Sequence, residues 1–179
     1  MAGKPRDSVR MSDAEIKEYL EANNKVQVAT IGPDGAPHLT TLFYAVIDGQ
    51  IAFWTYGSSQ KIKNIRRDSR VSCLIETGIE YSELAGISLR GRARLIEDYD
   101  GIRSLGEQVS QRMAGMDDPG ISQELKDALL DHQATKRVGV IVEAEHIASW
   151  DHAKMSAPPG AAAVAPSNSE EITDTSEES

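Results

Sequence analysis

The chain has 179 residues, 40% of them apolar and 26% charged, with a formal net charge of −9. That length suits one domain, the acidic balance argues against nucleic-acid binding, which needs a broad basic face, and no apolar stretch approaches the ~18 residues of a membrane span. The opening MAGKPRDSVRM has no signal-peptide core, so a cytoplasmic location is expected, and the lone Cys73 allows no intrachain disulfide.

Ser12-Asp13-Ala14-Glu15 has the spacing of a capping box, and Ile16, Tyr19 and Leu20 continue it as one face of a short helix. VQVATI (26–31) alternates and is rich in β-branched residues, which predicts a strand. GPDGAP follows as a turn, with Pro33 presetting φ and Gly35 accepting positive φ. HLTTLFYAVI (38–47) reads as the second strand. Asp48-Gly49 is a two-residue hairpin signal, and QIAFWT (50–55) is the returning strand.

Beyond a basic segment come RVSCLIE (70–76), where Cys73 is expected to be a buried thiol, and ISLRGRARLIE (87–97), where Gly91 marks a bulge or bend. Two helices are predicted over 98–113 and 122–132, with the turn GMDDPG (115–120) between them. RVGVIVEAEHIASW (137–150) closes the body as a sixth strand. Six antiparallel strands with peripheral helices predict a mainly β protein whose sheet curls into a barrel, a closure that also hides strand edges.

The last segment, SAPPGAAAVAPSNSEEITDTSEES (156–179), carries five acidic residues and no basic one. It has too little apolar surface to offset the entropy of ordering, so it is read as a disordered acidic tail after a domain spanning 1–155.

The segment between strands three and four, TYGSSQKIKNIRRDSR, gathers Lys61, Lys63, Arg66, Arg67 and Arg70 in an otherwise acidic protein. Ser58 or Ser59 is a natural helix N-cap, and Ile62 and Ile65 supply an apolar contact at i, i+3. Lys61 and Asn64 share the same spacing near the helix start. Free backbone N–H groups, a hydroxyl and a lysine at a helix N-terminus form an anion site, to which Thr55 adds another hydroxyl. The alternative is a solvated face, with Arg66, Arg67 and Arg70 paired to Asp68, Glu76 or Asp98. Cations near a helix C-terminus explain Arg66 and Arg67 without any ligand.

The remaining polar residues give less. His132, His146 and His152 show no metal-ligand spacing with cysteine or carboxylates, so no metal site is expected. Trp150 suits either packing or an aromatic wall, and no nucleophilic triad stands out.

The ordered series IGPDGAPHLTTLFYAVIDGQI, SQKIKNIRRDSRVS, YSELAGISLRGRA and SWDHAKM resembles the split β-barrel flavin and deazaflavin oxidoreductases. That superfamily includes pyridoxamine 5'-phosphate oxidase, and the resemblance is closer to its actinobacterial branch that uses coenzyme F420. It implies an FMN-binding split-barrel fold and a homodimer with a cofactor groove between subunits. It also implies transfer of hydride from reduced F420 to a small conjugated substrate. Cofactor binding falls by resemblance on Thr40, Thr41, Leu42, Thr55, Ser58, Ser59, Lys61, Asn64 and Arg67. His38, Tyr44 and Tyr81 are candidate proton donors, and Glu80, Tyr81 and Glu83 a loop over the groove.

Ala85 and Ala153 stand where such sequences often carry arginine, and Ser69 replaces a proline. The alternatives within the same fold are an FMN-dependent enzyme resembling pyridoxamine phosphate oxidase, or a protein that binds a deazaflavin or a tetrapyrrole without turnover.

Overall fold

The run HLTTLFYAVI contains no glycine or proline, yet the chain leaves the ladder in its middle. In the computed structural model, which describes residues 8–113 and 121–155, Tyr44 breaks the run into β2 (Pro37–Phe43) and β3 (Ala45–Ile47). Its backbone N–H donates to the Asn24 carbonyl at 3.1 Å, and its hydroxyl donates to the Leu20 carbonyl at 2.8 Å. The side chain is fully buried. These long-range bonds replace the ladder bonds that a continuous strand would have made. The sheet therefore has seven strands rather than the six expected.

The other elements are α1 (Asp13–Ala22), β1 (Lys25–Ile31), β4 (Gln50–Tyr56), α2 (Gln60–Arg67), β5 (Arg70–Thr77), β6 (Ala85–Ile96), α3 (Tyr99–Gln111), α4 (Gln123–Ala134) and β7 (Arg137–Asp151). Short 3-10 turns cover Tyr81–Glu83 and His152–Met155. The strands order as β2-β1-β5-β6-β7-β4-β3, all antiparallel. The first and last strands of that order are the two halves of one chain segment, so the curled sheet meets itself at Tyr44. This is a split barrel, mainly β, with four helices.

Alternation fills its interior. Val26 and Val28 of β1, Ile51 and Phe53 of β4, Val71, Cys73 and Ile75 of β5, and Val140 and Val142 of β7 share one core with Ile62 and Ile65 of α2. The opposite face of β3, β4 and β7 is covered too. Ala45, Ala52, Trp54 and Ile141 pack against Ile102, Leu105 and Val109 of α3. Burial on both faces explains why β4 reads as an unbroken apolar run.

The local signals hold where they rest on short-range chemistry. The capping box forms, with Ser12 N–H donating to Glu15 at 2.6 Å and Glu15 N–H to Ser12 Oγ at 3.4 Å. Asp48 and Gly49 both take positive φ, 50° and 76°, as a two-residue hairpin between twisted strands requires. The bulge expected at Gly91 is present as a register shift between Arg90 and Gly91. A Cβ at Gly91 would lie 2.0 Å from the Glu143 carbonyl oxygen, so only glycine fits. Cys73 is buried, and burial pushes its thiol up to about 12, which leaves it unreactive. The expected turn 115–120 and the acidic tail 156–179 lie outside the described residues. Among the described residues no helix is long and apolar enough to cross a membrane.

Candidate functional site

The helix α2 is seated by Ile62 and Ile65, which enter the barrel core, and by Asn64, which is fully buried beside them. Asn64 Nδ2 donates to Thr30 Oγ1 at 3.0 Å, Gln60 Nε2 donates to Asn64 Oδ1 at 2.8 Å, and Thr30 Oγ1 donates to the His38 carbonyl at 3.4 Å. A buried amide with both ends satisfied fixes α2 to β1, and through β1 to β2. Thr30 and Gln60 were not singled out from the sequence. Thr30 had left a signal, because it is the polar member of the inward stripe Val26-Val28-Thr30.

With α2 held this way, its N-terminus points at a set of unsatisfied groups. Ser59 is the N-cap, with extended backbone at φ −65° and ψ 151°, but its side chain caps no N–H of the first turn. Ser59 Oγ is buried without a partner, an arrangement that costs free energy unless something else supplies a hydrogen bond. Lys61 is half-buried, and its Nζ reaches Thr55 Oγ1, 3.3 Å away on the buried last turn of β4. Burial lowers the Lys61 pKa from the ordinary lysine value. An ammonium group whose one polar partner is a hydroxyl, next to an orphaned hydroxyl and open helix N–H groups, is an anion site in composition and in placement. Ser58 is exposed alongside.

The arginines of the segment are committed elsewhere. Arg66 pairs with Glu97 at 2.6 Å, Arg67 donates to the Ile31 carbonyl, and Arg70 pairs with Asp68 at 2.6 Å. The Arg70 guanidinium holds the Asp68 carboxyl down at about 2. The C-terminal half of the basic segment is thus structural.

Across the groove, register places Leu42, Thr40 and His38 opposite Val26, Val28 and Thr30 on the inward face of β2, while Thr41 points to the other face with Leu39. Thr40 Oγ1 and His38 Nδ1 are buried without partners, like Ser59 Oγ. Three of the residues named from the sequence therefore carry orphaned polar atoms, Ser59 at the start of α2 and His38 and Thr40 on the inward face of β2.

The proton-donor candidates separate. Tyr44 is spent on the Leu20 carbonyl, and burial pushes its pKa well up. Its guanidinium neighbour Arg112, 5.3 Å from the ring, also donates to the Leu20, Glu21 and Asn23 carbonyls and so caps the end of α1. Tyr81 is exposed on the turn before β6, with its ring 4.6 Å from that of His152 and its carbonyl 2.8 Å from His152 Nδ1. Glu80 and Glu83 cap that same turn. Trp150 lies flat on Gly86, where a Cβ would come within 2.3 Å of the indole, so it serves as packing for β6. Lys154 binds Glu15 at 2.7 Å, and the Ala153 N–H donates to Asp151. Among the described residues no three His, Cys, Asp or Glu side chains converge to hold a metal.

Comparison with known proteins bears on the fold. The conserved hypothetical protein Rv2991 from Mycobacterium tuberculosis is 40% identical, with 93% of this chain and 100% of that one covered at a TM-score of 0.77. An F420 reductase at 18% identity (73% and 94% covered, TM-score 0.56) shares the fold, as does the heme storage protein HutZ from Vibrio cholerae at 13% (75% and 92%, TM-score 0.57). No curated protein sequence matches. The pyridoxamine 5'-phosphate oxidase family model matches residues 12–151, from the N-cap of α1 to the end of β7, and the chain belongs to that family of split-barrel proteins.

Proposed function

We propose that the N-terminus of α2 holds the phosphate of a flavin-type cofactor, coenzyme F420, and that the protein is an oxidoreductase acting on a small conjugated substrate. The observation that carries this reading is the orphaned Ser59 Oγ beside the half-buried Lys61 ammonium. The phosphate would take Ser59, Lys61 and the first N–H groups of α2, with Thr55 holding the ammonium in place. Asn64 positions this machinery through Thr30, and Arg67 does so through the Ile31 carbonyl. Thr40, and His38 beyond it, offer hydrogen bonds to the ring system from β2, with Leu42 as apolar floor; Thr41, whose side chain is on the opposite face, would contribute its backbone. The bound cofactor supplies hydride chemistry, and the protein binds, orients and excludes water. His38 is the remaining proton-donor candidate on the groove face.

Homodimerisation belongs to the same proposal. β2 is an edge strand whose residues alternate between exposed and half-buried, and Leu39 is 62% exposed on its outer face. A second subunit laid against it would cover that edge and wall the groove. Binding of a deazaflavin or tetrapyrrole without turnover is the second reading. It is favoured by the loss of Tyr44 to the core, which leaves few groups to protonate a product.

Titration of the purified protein with F420 and separately with FMN, following cofactor fluorescence, tests the proposal. Tight F420 binding and consumption of reduced F420 with quinones, enones or nitroaromatics support it. Preference for FMN moves the protein to the oxidase side. Stoichiometric binding without turnover leaves a carrier, and binding of neither cofactor overturns the reading.

A further inference from the structure

A second concavity opens on the opposite face of the sheet from α2, and its edge includes Ile31 of β1 and Pro37 of β2. Register runs a row straight across four strands, Ala29 of β1, Ser72 of β5, Arg90 of β6 and His146 of β7. The first two are small and the last two are long, so the row forms a shallow floor rising to a basic wall. The resulting cavity is about 450 Å³, within the range of small-ligand sites, with Pro37 adding apolar surface.

The charges at this wall are unevenly satisfied. Each of β6's other arginines has a carboxylate, Arg92 with Glu145 at 3.0 Å and Arg94 with Glu143 at 3.0 Å. Arg70, at the rim, is held by Asp68. Among the described residues Arg90 has no ion-pair or hydrogen-bond partner, and its cross-strand neighbour is another base, His146, rather than an acid. An imidazole in that place gives the guanidinium no countercharge across the ladder. The bulge at Gly91 sets this up. It is the point where β7 carries one extra residue, Glu145, which turns to Arg92 and leaves Arg90 without a carboxylate.

We infer that this cavity binds a small organic carboxylate, its anionic end on the Arg90 guanidinium and His146 and its apolar body on Ala29 and Pro37. A guanidinium fork matches a carboxylate in geometry. One unpaired permanent cation, with the Glu145 carboxylate at the rim, suits a monoanion better than a phosphate dianion.

The test is calorimetric titration of the full chain with benzoate, benzamide and phenyl phosphate. Saturable benzoate binding, with benzamide and phenyl phosphate weaker, is expected. Arg90→Gln should weaken benzoate by about tenfold or more, the worth of a charge-assisted hydrogen bond. Ser72→Phe, which fills the floor and leaves every charge in place, should abolish it. Arg90 is exposed and unpaired, so its replacement leaves the fold intact, and a melting curve verifies this. Lys61→Met should leave benzoate affinity unchanged, which separates this site from the cofactor site. Absence of saturable benzoate binding, equal binding by Arg90→Gln, or unchanged binding by Ser72→Phe overturns the inference.

Discussion

Replacing Lys61 by methionine keeps most of the apolar stem and removes the ammonium. If that ammonium holds a phosphate, its loss removes a hydrogen bond to a charged group, worth about 1.5–3 kcal/mol. At about 1.4 kcal/mol per decade, Kd should rise roughly 10- to 150-fold. The upper end is disfavoured because Lys61 is only half-buried, so solvent screens part of the attraction. Stability should move the other way. Burial lowers the Lys61 pKa, so the unfolded chain binds the proton more tightly than the folded one, and the charged lysine opposes folding at neutral pH. Apo Lys61→Met should therefore be at least as stable as the parent. As pH rises through the depressed folded value towards the ordinary 10.5, the parent should gain relative to the variant, because its lysine enters the neutral form that the folded state prefers. Cofactor fluorescence gives Kd, and urea melts of both apo proteins across the alkaline range give the stability difference. An unchanged Kd would take Lys61 out of the phosphate site. A variant markedly less stable than the parent at neutral pH would refute the burial penalty.

Asn64→Ala should destabilise the fold by about 1–3 kcal/mol in a urea melt, because it takes a donor from the buried Thr30 hydroxyl and leaves it only the 3.4 Å bond to the His38 carbonyl. Raised Kd with unchanged stability would instead put the Asn64 side chain on the ligand. Gly91→Ala should cost about 1–3 kcal/mol, since backbone must shift to admit a Cβ 2.0 Å from the Glu143 oxygen, and an unaltered urea midpoint would show that the bulge yields freely. Lys154, followed by Ser12, holds the Glu15 carboxyl down at about 2 against an ordinary 4.5. The stabilisation it gives is present above the unfolded value and is lost as pH falls towards about 2, so Glu15→Gln should flatten the acid limb of the melting profile between those values. Parallel profiles for the two proteins would refute the pair's contribution.

What the sequence made legible was chemistry that acts over a few residues. The capping box at Ser12, the Asp48-Gly49 hairpin, the bulge at Gly91 and the cap at Ser59 are all local signals. Tyr44 was not readable as a strand break, because its partners Leu20 and Asn24 are brought to it by tertiary structure. Asn64 was expected beside Lys61 on the strength of i, i+3 spacing, but the register of α2 on the barrel turns it inward with Ile62 and Ile65. The fates of Arg66 and Arg67 likewise depend on Glu97 and Ile31, which helical spacing cannot reveal. Thr55 and Lys61 were found because strand end and helix start are adjacent in the chain. The basic wall at Arg90 and His146 exists only through pairing of strands far apart in sequence.

The last strand has a consequence for how the molecule comes together in time. β7 pairs with β6 along its length and with β4 over its first half, for instance Ile51 with Val142. Until it arrives, β3 and β4 form a hairpin with no sheet to join, and the groove has only one bank. Barrel closure is therefore a late, non-local event, of the kind that slows folding relative to the neighbouring hairpins. A chain that stalls before Arg137 would present β4, with its apolar faces uncovered, to whatever strand edge it meets next.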